Sequence, residues 1–572
     1  MADGPAAHEI TVVEALQLLD TKFKSSVQAI ANGYFAFWIG SGFSRDRFPM
    51  LDELIVRVLE FIRLRIELPN PTCEYRVAFN EAISMAELEE EQRESIDFSQ
   101  AVNDWPAIKT IKRRLSSRYA DFLNIRVGGQ PNDFLVWDGI DVVGTYGDST
   151  VDPDTEHLCL AALVLEGAVS EIASANWDGL IEKAYAELAG NVDGLAVCVA
   201  STQLQDQGNK PKLVKFHGCA PSARDDPDRF RALIVARSAQ LSDWGSQDRS
   251  GMKTHLTALI GERRTLMLGL SAQDFDIQHL FREARDKLSW TWNEADPAYL
   301  FSEDRLGATQ DDLLENVYRG QYDGSSRQDI AERSVIRAFA KALLLAMLLE
   351  VYSIKFITLA ARANLSGLND LHLIELGLTT IRNMVAKADT GNSVERTALT
   401  RTIVSQLTKF KSVLTSGRYD SSSLSYIPIS SATPESMKTS AEIPSSGLPE
   451  ASVALGLLGW GHMKDAWTLS AGEKTSRACV TVTKIDSAIP IILVANATAA
   501  SRLFVDGAID EQTSAVLIHS QERPERMVRS SGRSAFERTG KPSLREVGMQ
   551  EILAQNPSEV ELFERFRQEA SL

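Results

Sequence analysis

The length, composition and charge of the chain limit what it can be. Its 572 residues are too many for one ordinary hydrophobic core, so we expect two or three domains. Hydrophobic residues make up 44% and charged residues 24%, which is typical of globular proteins that fold in water. The formal net charge of −17 disfavours direct binding to nucleic acid or to an anionic membrane surface.

Cysteine usage and the apolar stretches predict a cytoplasmic protein. The five cysteines form an odd and unclustered set, which disfavours a disulfide framework. None of them shows the CxxC spacing of a zinc site; they are Cys73, Cys159, Cys198, Cys219 and Cys479. Residues 1–10 lack the apolar core of a signal peptide. The most apolar stretch, residues 342–349, is too short to span a bilayer, which requires about 20 apolar residues. We therefore expect no membrane segment and no metal.

The first half of the chain opens with the pattern of an α/β nucleotide-binding fold. Residues 34–39 predict a buried strand that ends at the turn Gly40, Ser41 and Gly42. From Leu51 onward apolar residues recur every three or four positions, which predicts a helix. A strand, a glycine turn and a helix in this order are typical of a Rossmann-like parallel sheet.

Further strands of this sheet are predicted from short runs that are apolar at nearly every residue, as expected for parallel strands covered on both faces. These runs are residues 171–175, 213–216, 265–268 and 298–301, and a helix is predicted at 156–166. Polar residues directly follow the first three runs. Ligands of open parallel sheets bind at the carboxyl ends of strands, so these polar residues are candidates for a binding site.

A charged segment interrupts this α/β pattern. Residues 69–140 contain an acidic run at 87–94 and a basic run at 109–118. Such runs predict the solvated faces of inserted helices, with a lid over the domain as the alternative. We assign residues 1–327 to an α/β domain with this helical insertion.

The second half of the chain is predicted to have three parts. Residues 328–420 form a helical region, in which residues 338–349 predict a helix that is buried or lies in a subunit interface. Residues 421–450 are rich in serine and proline and predict a linker or mobile loop. Residues 451–572 predict a small α/β or α+β domain, with strands at 479–485, 489–494 and 515–518 and a helix at 497–504.

This last domain contains no recognisable catalytic cluster. His462 and His519 are isolated in the sequence, and lone histidines are most often structural or on the surface. We expect the domain to recognise a partner or to regulate activity.

Four polar motifs follow predicted strands, and the first is the glycine turn. Gly40 and Gly42 allow the backbone to approach a phosphate, and a helix after the turn would offer free N–H groups. Arg45 occupies the position of the last glycine in a GxGxxG fingerprint, so this is not the usual dinucleotide motif. No GxxxxGK[ST] segment occurs, which excludes a P-loop.

The other three motifs also place candidate side chains at strand ends. Asn176 follows one strand, and Asp178 is placed to cap the next helix or to position Asn176. His217 precedes a glycine at the end of another strand and is a candidate general base. Gly269 and Ser271 are candidates to contact ribose or phosphate. Taken singly, each motif is as readily a turn, a helix cap or a structural histidine.

Together, and in this order, the four motifs resemble those of the sirtuin family over residues 30–305, about half of the chain. Two of them resemble the motifs with which that family holds its cofactor NAD. The turn from Gly40 to Ser44 resembles the GAGxS motif, which binds the cofactor phosphates. Gly269 and Ser271 resemble a later GxS motif that touches the cofactor.

The remaining two motifs resemble the catalytic motifs of the same family. Residues 174–178 resemble a TxNxD-type motif that ends at Asp178 and whose asparagine, here Asn176, is catalytic. His217 resembles the catalytic histidine, which stands before a glycine in the family. The resemblance implies that the domain breaks the bond between the nicotinamide and the ribose of NAD.

Two departures from the family indicate which group of its members the chain resembles. Its protein deacetylases carry a four-cysteine zinc module, which this chain lacks, and here a charged insertion precedes Asn176. These features resemble the sirtuin-like effectors of bacterial anti-phage systems, which deplete an infected cell of NAD in abortive infection. Those effectors are encoded beside a HerA-like ATPase, a short Argonaute or other sensors. The resemblance implies a zinc-free NAD hydrolase, inactive until triggered, in a homo-oligomer or a hetero-complex.

Two other functions remain open. One is a protein deacylase or ADP-ribosyltransferase on the same fold, which product analysis would identify. The other is a non-catalytic module that senses NAD or ADP-ribose. For the hydrolase, we expect Asn176 to orient the ribose or the attacking water and His217 to act as a general base.

Overall fold

The computed structural model describes residues 5–246, 249–363, 371–420, 425–484, 487–510, 512–521, 544–554 and 557–572. The N-terminal part of the chain is built on a seven-stranded parallel sheet with the strand order β3-β4-β2-β1-β5-β6-β7. The strands are β1 Phe35–Ile39, β2 Glu171–Ser174, β3 Ala196–Cys198, β4 Lys212–Lys215, β5 Arg264–Leu268, β6 Tyr299–Ser302 and β7 Val335–Ile336. The predicted α/β, Rossmann-like fold class is confirmed.

Helices cover both faces of this sheet. In β1, Phe35, Phe37 and Ile39 enter one hydrophobic core, whereas Ala36 and Trp38 enter another. Double burial explains why the predicted strands are apolar at nearly every residue. The helices of this part are α1 Val12–Asp20, α2 Lys24–Ala31, α3 Leu51–Arg63, α4 Glu74–Met85, α5 Glu90–Glu94, α6 Ile108–Ser116, α7 Tyr119–Phe122, α8 Val142–Tyr146, α9 Thr155–Leu165, α10 Leu180–Ala189, α11 Ala220–Asp225, α12 Pro227–Phe230, α13 Ser238–Ser242, α14 Ser250–Glu262, α15 Phe275–Lys287, α16 Ala308–Tyr318 and α17 Gly324–Arg333.

The inserted segment is helical, as predicted, and shares a hydrophobic core with α3, α11 and α12. Phe79, Trp105 and Phe122 are buried in that core. None of the residues of α5, in the acidic run, is buried, and α6, in the basic run, buries only Ile111 and Leu115. The two charge runs are therefore mostly solvated helix faces.

A long apolar helix, α18 Ala340–Ala360, follows the sheet. It has 21 residues, so it is longer than the helix predicted at 338–349. The apolar stretch at 342–349, predicted to be too short to span a bilayer, is part of this longer helix. Within the described part of the chain, α18 alone is long and apolar enough to cross a membrane, by length and composition only. In the protein, 78% of the apolar stretch of α18 is buried, which is typical of a core helix.

The rest of the chain forms helices around a second sheet. The helices are α19 His372–Ala386, α20 Ser393–Ser416, α21 Pro434–Thr439, α22 Leu448–Met463, α23 Ala497–Val505, α24 Met549–Leu553 and α25 Glu559–Ala570. The mixed sheet has the order β12-β11-β10-β9-β8 and comprises β8 Thr468–Ala471, β9 Val480–Lys484, β10 Ser487–Val494, β11 Val516–His519 and β12 Arg545–Gly548. The three strands and the helix predicted here are present, with shifts of one or two residues at their ends.

The serine- and proline-rich segment is packed against the protein, so the prediction of a linker is wrong for its described residues. Tyr426 donates a hydrogen bond to the carboxylate of Glu166, and the ammonium of Lys355 donates to the carbonyl of Ser430. These partners sit on buried elements that the local composition does not reveal. Residues 421–424 lie outside the described part of the chain.

The predicted boundary at residue 451 does not separate two hydrophobic cores. Helix α22 begins before it and packs along α18 and α19. At the crossing, Gly377 of α19 lies directly against Gly456 and Gly459 of α22, where added Cβ atoms would overlap with backbone atoms. One continuous core therefore includes residues of both predicted parts.

Candidate active site

The four predicted motifs follow four strands that are neighbours in the sheet, β4, β2, β1 and β5. These strands end level with each other: Ile39 pairs with Ser174 and Leu268, and Ser174 pairs with Lys215. The chain order reverses at β1, which has β2 on one side and β5 on the other. Ligands of parallel sheets bind at such a point.

A cavity opens at this edge of the sheet, and it is lined by every predicted site residue except Gly42. The inserted helices, whose charged faces are solvated, also contribute Tyr119 and Leu123 to the wall of this cavity. The predicted residues that line it are Gly40, Ser41, Ser44, Asn176, Asp178, His217, Gly269 and Ser271.

The glycines bring the first and fourth loops into direct contact. The N–H of Gly40 donates to the carbonyl of Leu268 at 3.1 Å, and that of Gly42 donates to the carbonyl of Gly269 at 3.0 Å. A Cβ at Gly40 would lie 2.5 Å from the Gly269 oxygen, and Gly269 has φ +62°, which favours glycine. The N–H groups of Gly40 and Gly42 are therefore already paired, and close packing of the loops explains these glycines.

The helix predicted from Leu51 onward is present as α3, but it does not follow the glycine turn directly. A short 3₁₀ helix, Ser41–Ser44, follows the turn, and α3 starts only at Leu51. The part of this loop that faces the cavity includes Ser41 and Ser44.

Ser44 connects the first loop with the second. Its Oγ lies 3.3 Å from Asn176 Nδ2, 3.1 Å from Asp178 Oδ2 and 3.1 Å from His157 Nε2. A carboxylate only accepts hydrogen bonds, so the hydroxyl donates to Asp178 and accepts from Asn176 and His157. Nδ1 of His157 then accepts from the N–H of Asp154 at 3.2 Å. Burial lowers the pKa of His157 to about 4, which keeps this ring neutral.

Asp178 fixes the second loop. Its Oδ1 accepts from the N–H of Leu180 at 3.0 Å at the start of α10, while its Oδ2 accepts from Ser44, which holds Asn176. The carbonyl of Asp178 also accepts a hydrogen bond from the buried ammonium of Lys215. The contacts for both predicted roles of Asp178, capping and positioning, are present.

Asn176 has a polar atom that the protein leaves unpaired. Asn176 is 8% exposed and lines the cavity, and its Oδ1 is buried without a hydrogen-bond partner among the described residues. An unpaired buried acceptor costs about 1–3 kcal/mol. Such an oxygen in a cavity wall is suited to accept a hydrogen bond from a ligand hydroxyl.

His217 is buried at the end of β4 and is 4% exposed. Its Nε2 lies 2.7 Å from Oδ2 of Asp276, in the first turn of α15. Burial by itself would lower the pKa of His217, but the negative charges of Asp276 and Asp274 outweigh it and raise the pKa.

Four polar residues at or beside the cavity were not predicted: Tyr119, His157, Asp274 and Asp276. Tyr119 donates a hydrogen bond to Asp274, which joins the inserted helices to the loop after β5. Ligand atoms of His217, Asp274 and Asp276 all lie within 4.8 Å of one another, a group of a kind that can also hold a metal ion. For Asp274 and Asp276 the sequence did contain a signal, because two carboxylates follow closely after Ser271.

The family model described as a SIR2-like domain matches residues 170–329, which contain Asn176, His217 and Ser271. No curated protein matches the chain. The match supports a sirtuin-like fold for this part of the chain, and with it an NAD-related activity in general.

Proposed function

We propose that the protein is an NAD glycohydrolase, which cleaves NAD to nicotinamide and ADP-ribose. The observation that carries this proposal is one cavity that holds both the unpaired oxygen of Asn176 and the imidazole of His217, which is held by Asp276. The resemblance to sirtuins supports NAD as the substrate. Hydroxyl groups of Ser41, Ser44 and Ser271 and aromatic side chains in the wall suit a ligand with phosphates, ribose and a flat ring.

The mechanism follows from the positions of these groups. Nicotinamide leaves from a cationic ring, so the reaction needs no strong acid. Oδ1 of Asn176 accepts a hydrogen bond from a ribose hydroxyl and orients the sugar. Water attacks the anomeric carbon while the electron pair of the C–N bond passes to the nicotinamide nitrogen, and His217 takes the proton from the water. The nearby carboxylate of Asp178 stabilises the cationic transition state.

We further propose that this activity belongs to an effector of anti-phage defence. The support is the resemblance to zinc-free, sirtuin-like effectors that deplete NAD in abortive infection. On this proposal the protein acts in the cytoplasm, as a homo-oligomer or with a sensor such as a HerA-like ATPase or a short Argonaute, and stays inactive until triggered. Its net charge of −17 suits a protein partner better than direct contact with nucleic acid.

The test compares His217→Ala and Asn176→Ala with His372→Ala, an exposed histidine at the start of α19. NAD loss and products are measured with the purified proteins and in cells with and without phage. Each site variant should lose at least ~100-fold in NAD hydrolysis, the usual scale for a positioned acid–base group. The His372→Ala variant should match the wild type.

Other outcomes of the same experiment would contradict the proposal. Full activity in a folded His217→Ala protein would exclude His217 as the base. Product formed only with an acyl-peptide or another acceptor would identify a deacylase or an ADP-ribosyltransferase. NAD binding without turnover, with the partner present, would identify a sensing module. Stoichiometric zinc lost together with activity on chelation would exclude a zinc-free enzyme.

A further inference from the structure

The contact between His217 and Asp276 is a buried, directed pair. Nε2 and Oδ2 are 2.7 Å apart, and the two side chains are 6% and 1% exposed. Asp276 lies in the first turn of α15, where the helix dipole stabilises a carboxylate. Its second oxygen, Oδ1, is buried and has no hydrogen-bond partner within the described ranges. The imidazole of His217 is therefore a principal partner that offsets the free-energy cost of burying this carboxylate.

The chemistry of the two groups determines which nitrogen of His217 carries the proton. A carboxylate only accepts hydrogen bonds, so Nε2 carries the hydrogen, and in the neutral ring Nδ1 keeps its lone pair. We propose that Asp276 is a positioning residue that fixes this tautomer and presents Nδ1 of His217 as the base. This inference rests on the proposed function, because a fixed tautomer is needed by a group that must accept a proton.

The pair also stabilises the positive charge that develops on the His217 ring during the reaction. As the water oxygen bonds to the anomeric carbon, its proton moves to Nδ1, and the C–N electron pair leaves with nicotinamide. The ring is then a cation whose Nε2–H still donates to Asp276. The carboxylate stabilises this cation and remains ionised throughout.

Several charged groups act on the ring. Asp276 and Asp274 come from the start of α15, Tyr119 of α7 hydrogen-bonds Asp274, and Arg249 precedes α14. Burial lowers the pKa of His217, the two carboxylates raise it, and Arg249 lowers it; the balance raises it. Removal of the charge on Asp276 should therefore lower the pKa of His217.

The kinetic test uses the variants Asp276→Asn and Asp276→Glu. The control is Asp286→Asn, because Asp286 is an exposed carboxylate on the same helix. A general base works when it is neutral, so kcat/KM of the wild type rises with pH through the pKa of His217. In Asp276→Asn, kcat should fall about 10- to 1,000-fold with KM within about threefold, and the rise should move to lower pH. Asp276→Glu keeps the charge and should restore the position of the rise and part of kcat.

A spectroscopic test works without turnover. The chain has 8 histidines, so comparison of ¹⁵N-labelled wild type with His217→Ala identifies the ring signals of His217. We expect hydrogen on Nε2, a lone pair on Nδ1, and a titration midpoint that falls in Asp276→Asn. A hydrogen on Nδ1, or a chelator that changes these signals by removing a metal, would overturn the inference.

The two tests separate this inference from the proposed function. If the wild type hydrolyses NAD and His217→Ala does not, but Asp276→Asn keeps the kcat and pH profile of the wild type, the role of Asp276 is wrong. If the signals show the expected tautomer but no NAD is hydrolysed under any trigger, the pair is confirmed and the proposed function is wrong.

Discussion

The ammonium of Lys341 lies 2.6 Å from the carboxylate of Asp154 and so joins the first turn of α18 to the residue that caps α9. Lys341 also lies 2.6 Å from Asp46, in the loop after the glycine turn. The backbone N–H of Asp154 donates to His157, which hydrogen-bonds Ser44 at the cavity. Polar contacts thus connect α18 continuously with the candidate active site.

The first prediction concerns this ion pair. Lys341→Met should lower the free energy of unfolding by about 1.5–3 kcal/mol, the range for a hydrogen bond to a charged group. The loss is limited because Arg47 remains 3.2 Å from Asp154. Urea denaturation measures the change. The control Lys24→Met replaces an exposed lysine and should change stability by less than about 0.5 kcal/mol. Equal midpoints for the two variants would show that the ion pair does not contribute.

The second prediction concerns Glu156, whose carboxylate oxygens are buried without hydrogen-bond partners among the described residues. Burial raises its pKa from the ordinary 4.5 to about 8. The unfolded chain therefore releases this proton at lower pH than the folded protein does. The stability that Glu156 contributes is complete below about pH 4.5 and is lost as the pH rises through about 8.

The measurement is the urea midpoint at pH 5 and at pH 8.5 for the wild type and for Glu156→Gln. The amide does not titrate, so the variant should lose less stability between the two pH values than the wild type does. The same loss in both proteins would mean that Glu156 is ionised in the folded state.

The third prediction tests the hydroxyl that connects the first two loops. Ser44→Ala removes the acceptor for Asn176 Nδ2 and the donor to Asp178. The amide is then free to rotate, and a shift of about 1 Å in a catalytic group can cost about 100-fold. NAD hydrolysis should fall about 10- to 100-fold, whereas Ser405→Ala, an exposed serine on α20, should leave it unchanged. Unchanged activity in Ser44→Ala would show that other contacts hold Asn176.

The central strands could be predicted because the same short segments of the sequence show both the apolar residues of a buried strand and the polar motif at its end. Strands β1, β2, β4 and β5 are short apolar runs that end at polar motifs, and both features can be seen in the sequence. Strands β3 and β7 have three and two residues, too few to form a pattern. The glycine turn was predicted, but the pairing of its N–H groups depends on the loop after β5.

Contacts between distant residues could not be predicted from local patterns. Asp276 meets His217 only because the loop after β5 brings the first turn of α15 beside the end of β4. Tyr426 and Ile429 hold a serine-rich segment in place, because Glu166 and Lys355 lie buried beneath it. Composition describes a segment by itself, whereas the surface on which it packs is determined by the whole fold.

The last prediction concerns the C-terminal part of the chain. A protein truncated after residue 420 should fail to fold, because α22 covers α18 and α19. Val453, Ala454 and Leu457 are fully buried in this packing, and Lys355 would lose the carbonyl of Ser430. Large exposed apolar faces of this kind lead to aggregation.

The truncated chain should be insoluble, or should exchange the amide hydrogens of α18 and α19 far faster than the full chain does. Residues 425–572, co-expressed as a separate polypeptide, should restore solubility, because the packing does not depend on the covalent connection. A soluble truncated protein that binds NAD and protects α18 as the full chain does would contradict this prediction. It would also show that residues 1–420 fold without the C-terminal part of the chain.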